Sequence, residues 1–426
     1  MHLHTYLKEG LTFREYGGMT ANLLSETWAN LDSYELRLLL DKHFGGPGQY
    51  DGRDDNPDKF YLPLAGTSCR IGLTFRGNKI AAIEPGPAFD AAEWERASEE
   101  IGKSILAGPL KIGRDYSFSS FRVSGSWRGD RSRVQILPPP DDAPRADVEM
   151  ADHPFILEFP ITASDFLPVT NHRRMREHRN LTYLLNLLLA GRTSDQPRRS
   201  RSFWANVPRD DGGFEIKWVQ EYFFAELGES VIDELSPPAG EQLEAVEPEE
   251  YYTEVSHDGK GLRVPTDLDE SIRLYQELGA ANRAKFDRAT FWMDMASRQW
   301  TISVSSSFAS LVSAVESLTE RGTKHEVYCD ECKKDWPHDV PGATETFRDF
   351  FEKYTPGASL RERRSKMYKL RSGILHGSEL MQLDQDLAFG WDPPWWNERE
   401  LHEELWSLTR VAVRNWLKNP PADVGP

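Results

Sequence analysis

The hydrophobic pattern of this 426-residue chain changes period part-way along, and that change limits what it can fold into. Cys69, Ile71, Leu73 and Phe75 alternate with Arg70, Gly72, Thr74 and Arg76. Successive strand side chains point to opposite faces, so this alternation predicts a strand with one buried face. From about residue 266 the apolar spacing becomes helical. Ile272, Tyr275, Leu278, Phe286, Ala289, Trp292, Met293 and Ala296 form a first stretch. Phe308, Leu311, Val312, Val315 and Leu318 follow in steps of three and four, which is one face of a helix. Phe347, Phe350, Phe351 and Tyr354 predict a short helix that Pro356-Gly357 stops. Ser359 with Glu362 three positions later is a capping box, so another helix starts there, runs through Met367, Leu370 and Ile374, and can end at Gly377. Leu401, Leu405, Leu408, Ala412 and Trp416 predict a terminal helix.

The first half mixes both periods. Helices are expected over 22–42, 89–106 and 170–190. Strands are expected near 70–76, 79–84, 116–124, 133–137, 155–161, 203–207 and 214–224. Between them and the helical half, residues 226–258 carry 11 Asp and Glu and no Lys or Arg, and Pro237, Pro238 and Pro248 interrupt them. Like charges repel and proline breaks helices, so this stretch reads as a connector. The expected fold class is α+β: a mixed α/β domain over 1–225, an acidic linker over 226–260, and an all-α bundle over 261–426.

Composition narrows the function. The net charge is −17. Non-specific nucleic-acid binding draws on basic surface, so any nucleic-acid chemistry here must use local positive patches. Three cysteines (Cys69, Cys329 and Cys332) are too few for a disulfide framework, which favours a reducing cytoplasm. No apolar run follows a basic region near the N-terminus, and the longest apolar runs are far below a membrane span, so neither a signal peptide nor a membrane partner is expected.

Against that acidic background, the helix expected over 359–376 holds Arg361, Arg363, Arg364, Lys366, Lys369 and Arg371 against Glu362 alone. Such a local reversal of charge can steer a polyanion, though a solvated basic face has the same composition. It ends in Arg371-Ser372-Gly373-Ile374-Leu375-His376-Gly377. Arginine is a permanent cation whose fork fits phosphate. Histidine gives or takes a proton near neutral pH. Five positions of an ideal helix turn by roughly 140°, so the two share a face only if the chain leaves the helix at Gly377.

The phrase from Tyr368 to Gly377 resembles the signature helix of the HEPN superfamily, and most nearly its Apea-like branch, linked to prokaryotic anti-phage defence. The stretch Phe308 to Leu318, with Glu316, is similar to an earlier helix of that family. The resemblance covers roughly 290–418 and leaves 1–225 without a counterpart. It implies a HEPN-like helical bundle and a metal-independent endoribonuclease of the toxin or abortive-infection type, assembled as a homodimer or higher oligomer. Arg371 would bind the scissile phosphate and His376 would act as general acid or base on the ribose 2′-hydroxyl. Ser372 takes the polar position after the arginine, where the family often has a larger side chain. Arg363, Arg364, Lys366 and Lys369 would contact the RNA. A phage-derived trigger or inhibitor would act through the N-terminal domain. Some family members only bind RNA, nucleotide or protein, so a non-catalytic module is the alternative.

Catalysis of this kind needs no cofactor. A structural zinc is a separate expectation: His325-x3-Cys329-x2-Cys332-x5-His338 has ligand types and spacing for a tetrahedral site. Idle thiols in a polar loop are the bland alternative. Residues 170–201 hold eight Arg and two acids and could extend an RNA path or pair with acids elsewhere. Trp391, Trp395 and Trp396 could stack bases, though packing over the bundle is the commoner use.

Overall fold

The computed structural model describes residues 14–16, 19–23, 32–44, 59–63, 70–76, 79–85, 91–106, 108–140, 153–189, 192–195, 203–219, 227–253, 261–319, 326–329, 334–337, 342–357, 361–385 and 393–422. The chain is of mixed α and β character. It divides into two compact units, Met1–Ile112 with Ile161–Arg176, and Gly113–Pro160 with Glu177–Pro426.

The first unit contains a five-stranded antiparallel sheet in the order Arg14–Tyr16, Met19–Leu23, Lys79–Pro85, Arg70–Arg76, Lys59–Pro63. The alternating run at 70–76 is a strand as expected, with 79–85 beside it and Leu73 opposite Ile83, both buried. Helices α1 (Ser33–Phe44) and α2 (Ala91–Leu106) touch each other and bury Leu36, Leu39, Leu40, Ala97 and Ile101. The helix expected from residue 22 starts later. Met19–Leu23 pairs into the sheet, and the Asp32 carboxylate accepts the N–H groups of Tyr34 and Glu35 at the start of α1. Helix α3 (Leu167–Leu188) begins in this unit. There His172 lies 3.0 Å from Asp32, and this hydrogen bond outweighs burial and holds the Asp32 carboxyl well below the usual carboxylate range. Arg173 forms a buried ion pair with Glu35, so this member of the 170–201 arginine cluster is spent on structure.

The second unit contains most of a seven-stranded sheet. Its order is Thr193–Ser194, Leu110–Ser119, His153–Thr162, Gln135–Leu137, Gly125–Arg128, Glu241–Gln242, with Val231–Ile232 also paired to Leu110–Ser119. The last two named segments correct the linker reading. Where it is described, the acidic stretch adds strands to the sheet and buries Leu243, Val246 and Tyr251. Ser236 donates through its N–H and hydroxyl to the fully buried Glu158 carboxylate, at 2.9 and 2.6 Å. Its acidic side chains are largely exposed, so repulsion among them is screened while the backbone is held. The expected boundary at 226–260 therefore falls inside one compact unit. Gly125 permits the parallel pairing with Glu241, because a Cβ there would stand 2.3 Å from the Glu241 carbonyl oxygen.

The rest of this unit is helical: α4 (Pro248–Thr253), α5 (Leu268–Gln276), α6 (Ala280–Gln299), α7 (Val304–Leu318), α8 (Ala343–Tyr354), α9 (Arg361–Leu375), α10 (Gln382–Gln385) and α11 (Pro393–Lys418). Helix α7 is central, touching α6, α8, α9, α10 and α11. A helix apolar on nearly every side must be buried, and Phe308, Leu311, Val312, Ala314 and Val315 are. Burying each of its large apolar side chains stabilises by about 1.5–3 kcal/mol. Its serines stay satisfied by donating to carbonyls, as Ser310 does to Ser306 and Ser317 to Ser313. The N-terminus of α7 is closed by Asp384, which accepts from the Ser303 hydroxyl and the N–H groups of Val304 and Ser305 at 2.8–2.9 Å. Among the described residues no helix is long and apolar enough to cross a membrane.

Candidate functional site

The geometry of α9 follows from its turn angle. Arg364, Met367, Tyr368 and Arg371 recur at steps of three and four, which puts them on one face. That face meets α7 and α8, and Arg364, Met367 and Tyr368 are buried. Arg364 is 0% exposed, donates to the Glu352 carboxylate at 3.0 Å and to the Thr355 carbonyl, and lies over the Phe351 ring. Arg364 was expected to touch substrate; it instead ties α9 to the end of α8, because its position faces the core. Lys366 and Lys369 project outward, Lys366 paired with Glu362. Arg363 is half-buried against Glu404 of α11 at 2.5 Å.

Arg371 sits at the end of the inward face. Its Nη2 donates to Glu316 of α7 at 2.5 Å, and the other oxygen of the same carboxylate accepts from the Tyr368 hydroxyl at 2.9 Å. The Arg371 guanidinium also lies 5.6 Å from the centre of the Tyr368 ring. The pair is about a fifth exposed, 18% for Arg371 and 22% for Glu316. The Arg371 Nε is buried without a hydrogen-bond partner, and the bond to Glu316 uses Nη2 alone, so the exposed part of the fork keeps donor capacity beyond that bond. This is a cation oriented by two neighbours and not fully consumed by them.

His376 lies just past the helix. Its N–H bonds to the Ser372 carbonyl, Gly377 adopts φ +70°, and the Ser378 N–H returns to the Gly373 carbonyl at 3.0 Å. A left-handed glycine closing the last turn in this way ends a helix. His376 is exposed on that turn and Ser372 is half-buried. A Cβ at Gly373 would stand 2.6 Å from the Glu379 carboxylate, the mobile end of an exposed side chain that would have to swing aside. No hydrogen bond joins Arg371 to His376 within one chain. The arginine is anchored inward and the histidine is presented outward. The role of Tyr368 was not drawn from the motif, although its three-residue offset from Arg371 is the signal that could have found it.

Among the described residues no group of three or more His, Cys, Asp or Glu could hold a metal ion. Of the expected zinc ligands, His325, Cys332 and His338 lie outside the described residues. Cys329 is described only in its backbone, which ends the strand Glu326–Cys329 opposite Lys334 of Lys334–Pro337. Arg198, Arg199, Arg201 and Trp391, and the side chains of Trp395 and Trp396, are also outside the description. No family model, no curated protein and no solved structure matches this chain.

Proposed function

We propose that this chain is a metal-independent endoribonuclease of HEPN type, a toxin-like effector of prokaryotic anti-phage defence that works as a homodimer or higher assembly in the cytoplasm. The observation that carries the reading is the end of α9. Arg371 is oriented by Glu316 and Tyr368 one turn before a glycine-closed helix end that exposes His376. In the proposed reaction the ribose 2′-oxygen attacks phosphorus while His376 takes its proton. The bond from phosphorus to the 5′-oxygen breaks, leaving a 2′,3′-cyclic phosphate and a 5′-hydroxyl. Arg371 stabilises the charge that builds on the phosphoryl oxygens. RNA is the substrate because the nucleophile is its 2′-hydroxyl. One imidazole cannot both take the first proton and give the second in the same instant, so a second copy of His376 across a dimer would act as the acid. Ser372 lines the turn between the two groups, and Lys366 and Lys369 are the outward cations that would meet the RNA backbone. A phage-derived trigger would relieve restraint exerted by the N-terminal part.

The test is RNA cleavage and growth arrest by the full-length chain against Arg371→Ala and His376→Ala. His376 is exposed, so His376→Ala is expected to abolish both with thermal stability unchanged within about 0.5 kcal/mol. Cleavage at wild-type rate in both variants would instead favour the non-catalytic RNA-, nucleotide- or protein-binding module, which the inward ion pair of Arg371 with Glu316 also suits. A structural zinc on His325, Cys329, Cys332 and His338 belongs to the proposal as a brace for the segment joining α7 to α8. Metal content of purified protein, with and without Cys329→Ser, tests it.

A further inference from the structure

A cavity of about 370 Å³ opens in the second unit, and none of Glu316, Tyr368, Arg371 or His376 lines it. Its walls come from the chain just after α3, from α6 and from α11, and include Arg192, Asp294, Trp300, His402, Trp406 and Arg410. One side is aromatic. The rings of Trp300 and His402 are 4.3 Å apart, and Trp406 follows His402 by one turn of α11. His402 is 2% exposed, is hydrogen-bonded to the Ser307 hydroxyl at 2.9 Å, and has its pKa pushed down to about 4 by burial. It is therefore a neutral flat ring at neutral pH.

The other side carries two cations, Arg192 and Arg410, and two carboxylates, Asp294 and Glu403, of which Glu403 is paired with Arg399 at 2.8 Å. The Asp294 carboxylate is matched, receiving Arg298 Nε at 2.6 Å and Asn186 Nδ2 at 2.8 Å. Arg410 is not matched. Its Nε donates to the Leu187 carbonyl at 3.0 Å and its Nη2 to the Leu189 carbonyl, which fixes the guanidinium at the end of α3 and leaves Nη1 uncommitted. Among the described residues no carboxylate pairs with Arg410, and Arg414 one turn on adds a second positive charge beside it. Burial and then Arg414 push the Arg410 pKa down to about 10, so it remains a cation at neutral pH. A desolvated charge without a counter-ion is costly, and an anion in the cavity relieves it.

We infer that this cavity binds a small anion bearing a flat aromatic ring, with the ring against Trp300 and Trp406 and the acidic group on Arg410. The volume lies at the lower end of small-molecule pockets, about 300–1,000 Å³, which fits a mononucleotide or an aromatic carboxylate. Isothermal titration of the full-length chain with AMP, UMP and indole-3-acetate, beside adenosine and inorganic phosphate, tests this. At least one aromatic anion is expected to bind with Kd below about 1 mM, with adenosine and phosphate at least ~10-fold weaker. The nucleotide and carboxylate arms distinguish the source. Trp406→Ala and Arg410→Gln should each weaken binding by ~10-fold. Arg410→Gln also removes two bonds to the end of α3, so if it fails to fold, the half-exposed Trp406 decides alone. Absence of binding by all three anions at about 1 mM, or binding that Trp406→Ala leaves intact, overturns the inference. The readout does not involve RNA cleavage, so its failure would leave the nuclease reading standing.

Discussion

Glu316→Gln keeps the length of the side chain and one oxygen but removes the charge that faces Arg371. The carboxylate accepts from Arg371 at 2.5 Å and from Tyr368 at 2.9 Å, and the pair is 18% and 22% exposed. Breaking a fully buried ion pair by removing one partner costs about 3–5 kcal/mol, whereas an exposed pair contributes about 0–1. A hydrogen bond to a charged group is worth about 1.5–3 kcal/mol. At a fifth exposure the expected loss for Glu316→Gln is about 2 kcal/mol, and the coupling with Arg371→Met is about 1.5 kcal/mol. Whole-chain denaturation is a poor assay, because two compact units need not unfold as one transition. Hydrogen exchange of amides in α7 and α9 reads the local opening free energy instead. Wild type, both single variants and the double variant complete the cycle. Single effects that add to within about 0.3 kcal/mol would mean that the two side chains do not sense each other in solution, and the orienting role given to Glu316 would fall. In the nuclease reading the same variant loses about 10–100-fold in cleavage rate, because Arg371 is misplaced rather than absent.

The remaining expectations follow from single contacts. Asp384→Ala should destabilise the helical unit by about 2 kcal/mol, since three donors at the start of α7 lose their acceptor. Burial would raise the Asp384 carboxyl, but its hydrogen bonds from Ser305, Ser303 and Val304 hold it below the ordinary value. Its contribution is thus present above the unfolded pKa and lost as pH falls through the folded one, so the gap between wild type and Asp384→Ala should close in acid. His402 gives the same sign of pH dependence from a different cause, burial of its ring. Its folded pKa of about 4 lies below the unfolded 6.5, so the unfolded chain binds the extra proton between those values and stability falls as pH drops through that window. The loss approaches about 3 kcal/mol, and hydrogen exchange of α11 amides at several pH values, corrected for intrinsic rates, should show His402→Phe flattening it. Gly125→Ala should speed hydrogen exchange of the amides in Gly125–Arg128 and Glu241–Gln242 strongly, because its Cβ meets backbone 2.3 Å away; unchanged protection there would contradict the strand pairing to Glu241.

Periodicity carried the elements and charge counting did not carry their roles. The alternation at 70–76 and the three-and-four spacing at 308–318 became the strand and the central helix, because burial of one face or of all faces is written into the spacing of apolar residues. The acidic stretch departs from the connector expectation because composition cannot see where backbone donors go. Ser236 reaches a buried Glu158 that lies far away in sequence, and the paired strands are only two residues long. The cavity was likewise hidden, since its walls come from three segments that only the fold assembles. His402 did leave a trace: it shares the helical face of Leu405, Thr409, Ala412, Val413 and Trp416, all buried, where a polar residue stands out.

The pairing at the candidate site was within reach of the sequence. Between Val304 and Leu318 there is one charged residue, Glu316. A carboxylate on a helix enclosed by others needs a cation from a neighbour. The basic helix offers six, but Arg361 stands exposed at its first position, and of the others only Arg364 and Arg371 fall on the face that also holds Met367 and Tyr368. Those two are seven positions apart, or about 10 Å of helix, so they cannot serve the same acid. Arg364 lies near the start of α9 and meets Glu352 and Thr355 at the end of α8, leaving Arg371 for Glu316. Total charge treats Lys366, Lys369, Arg364 and Arg371 alike. The turn angle separates them into two cations that face solvent, one that locks the fold and one that is both held and partly free. Of the two inward arginines, only Arg371 keeps part of its side chain exposed, 18% against 1% for Arg364, and so combines constraint with access to a phosphate.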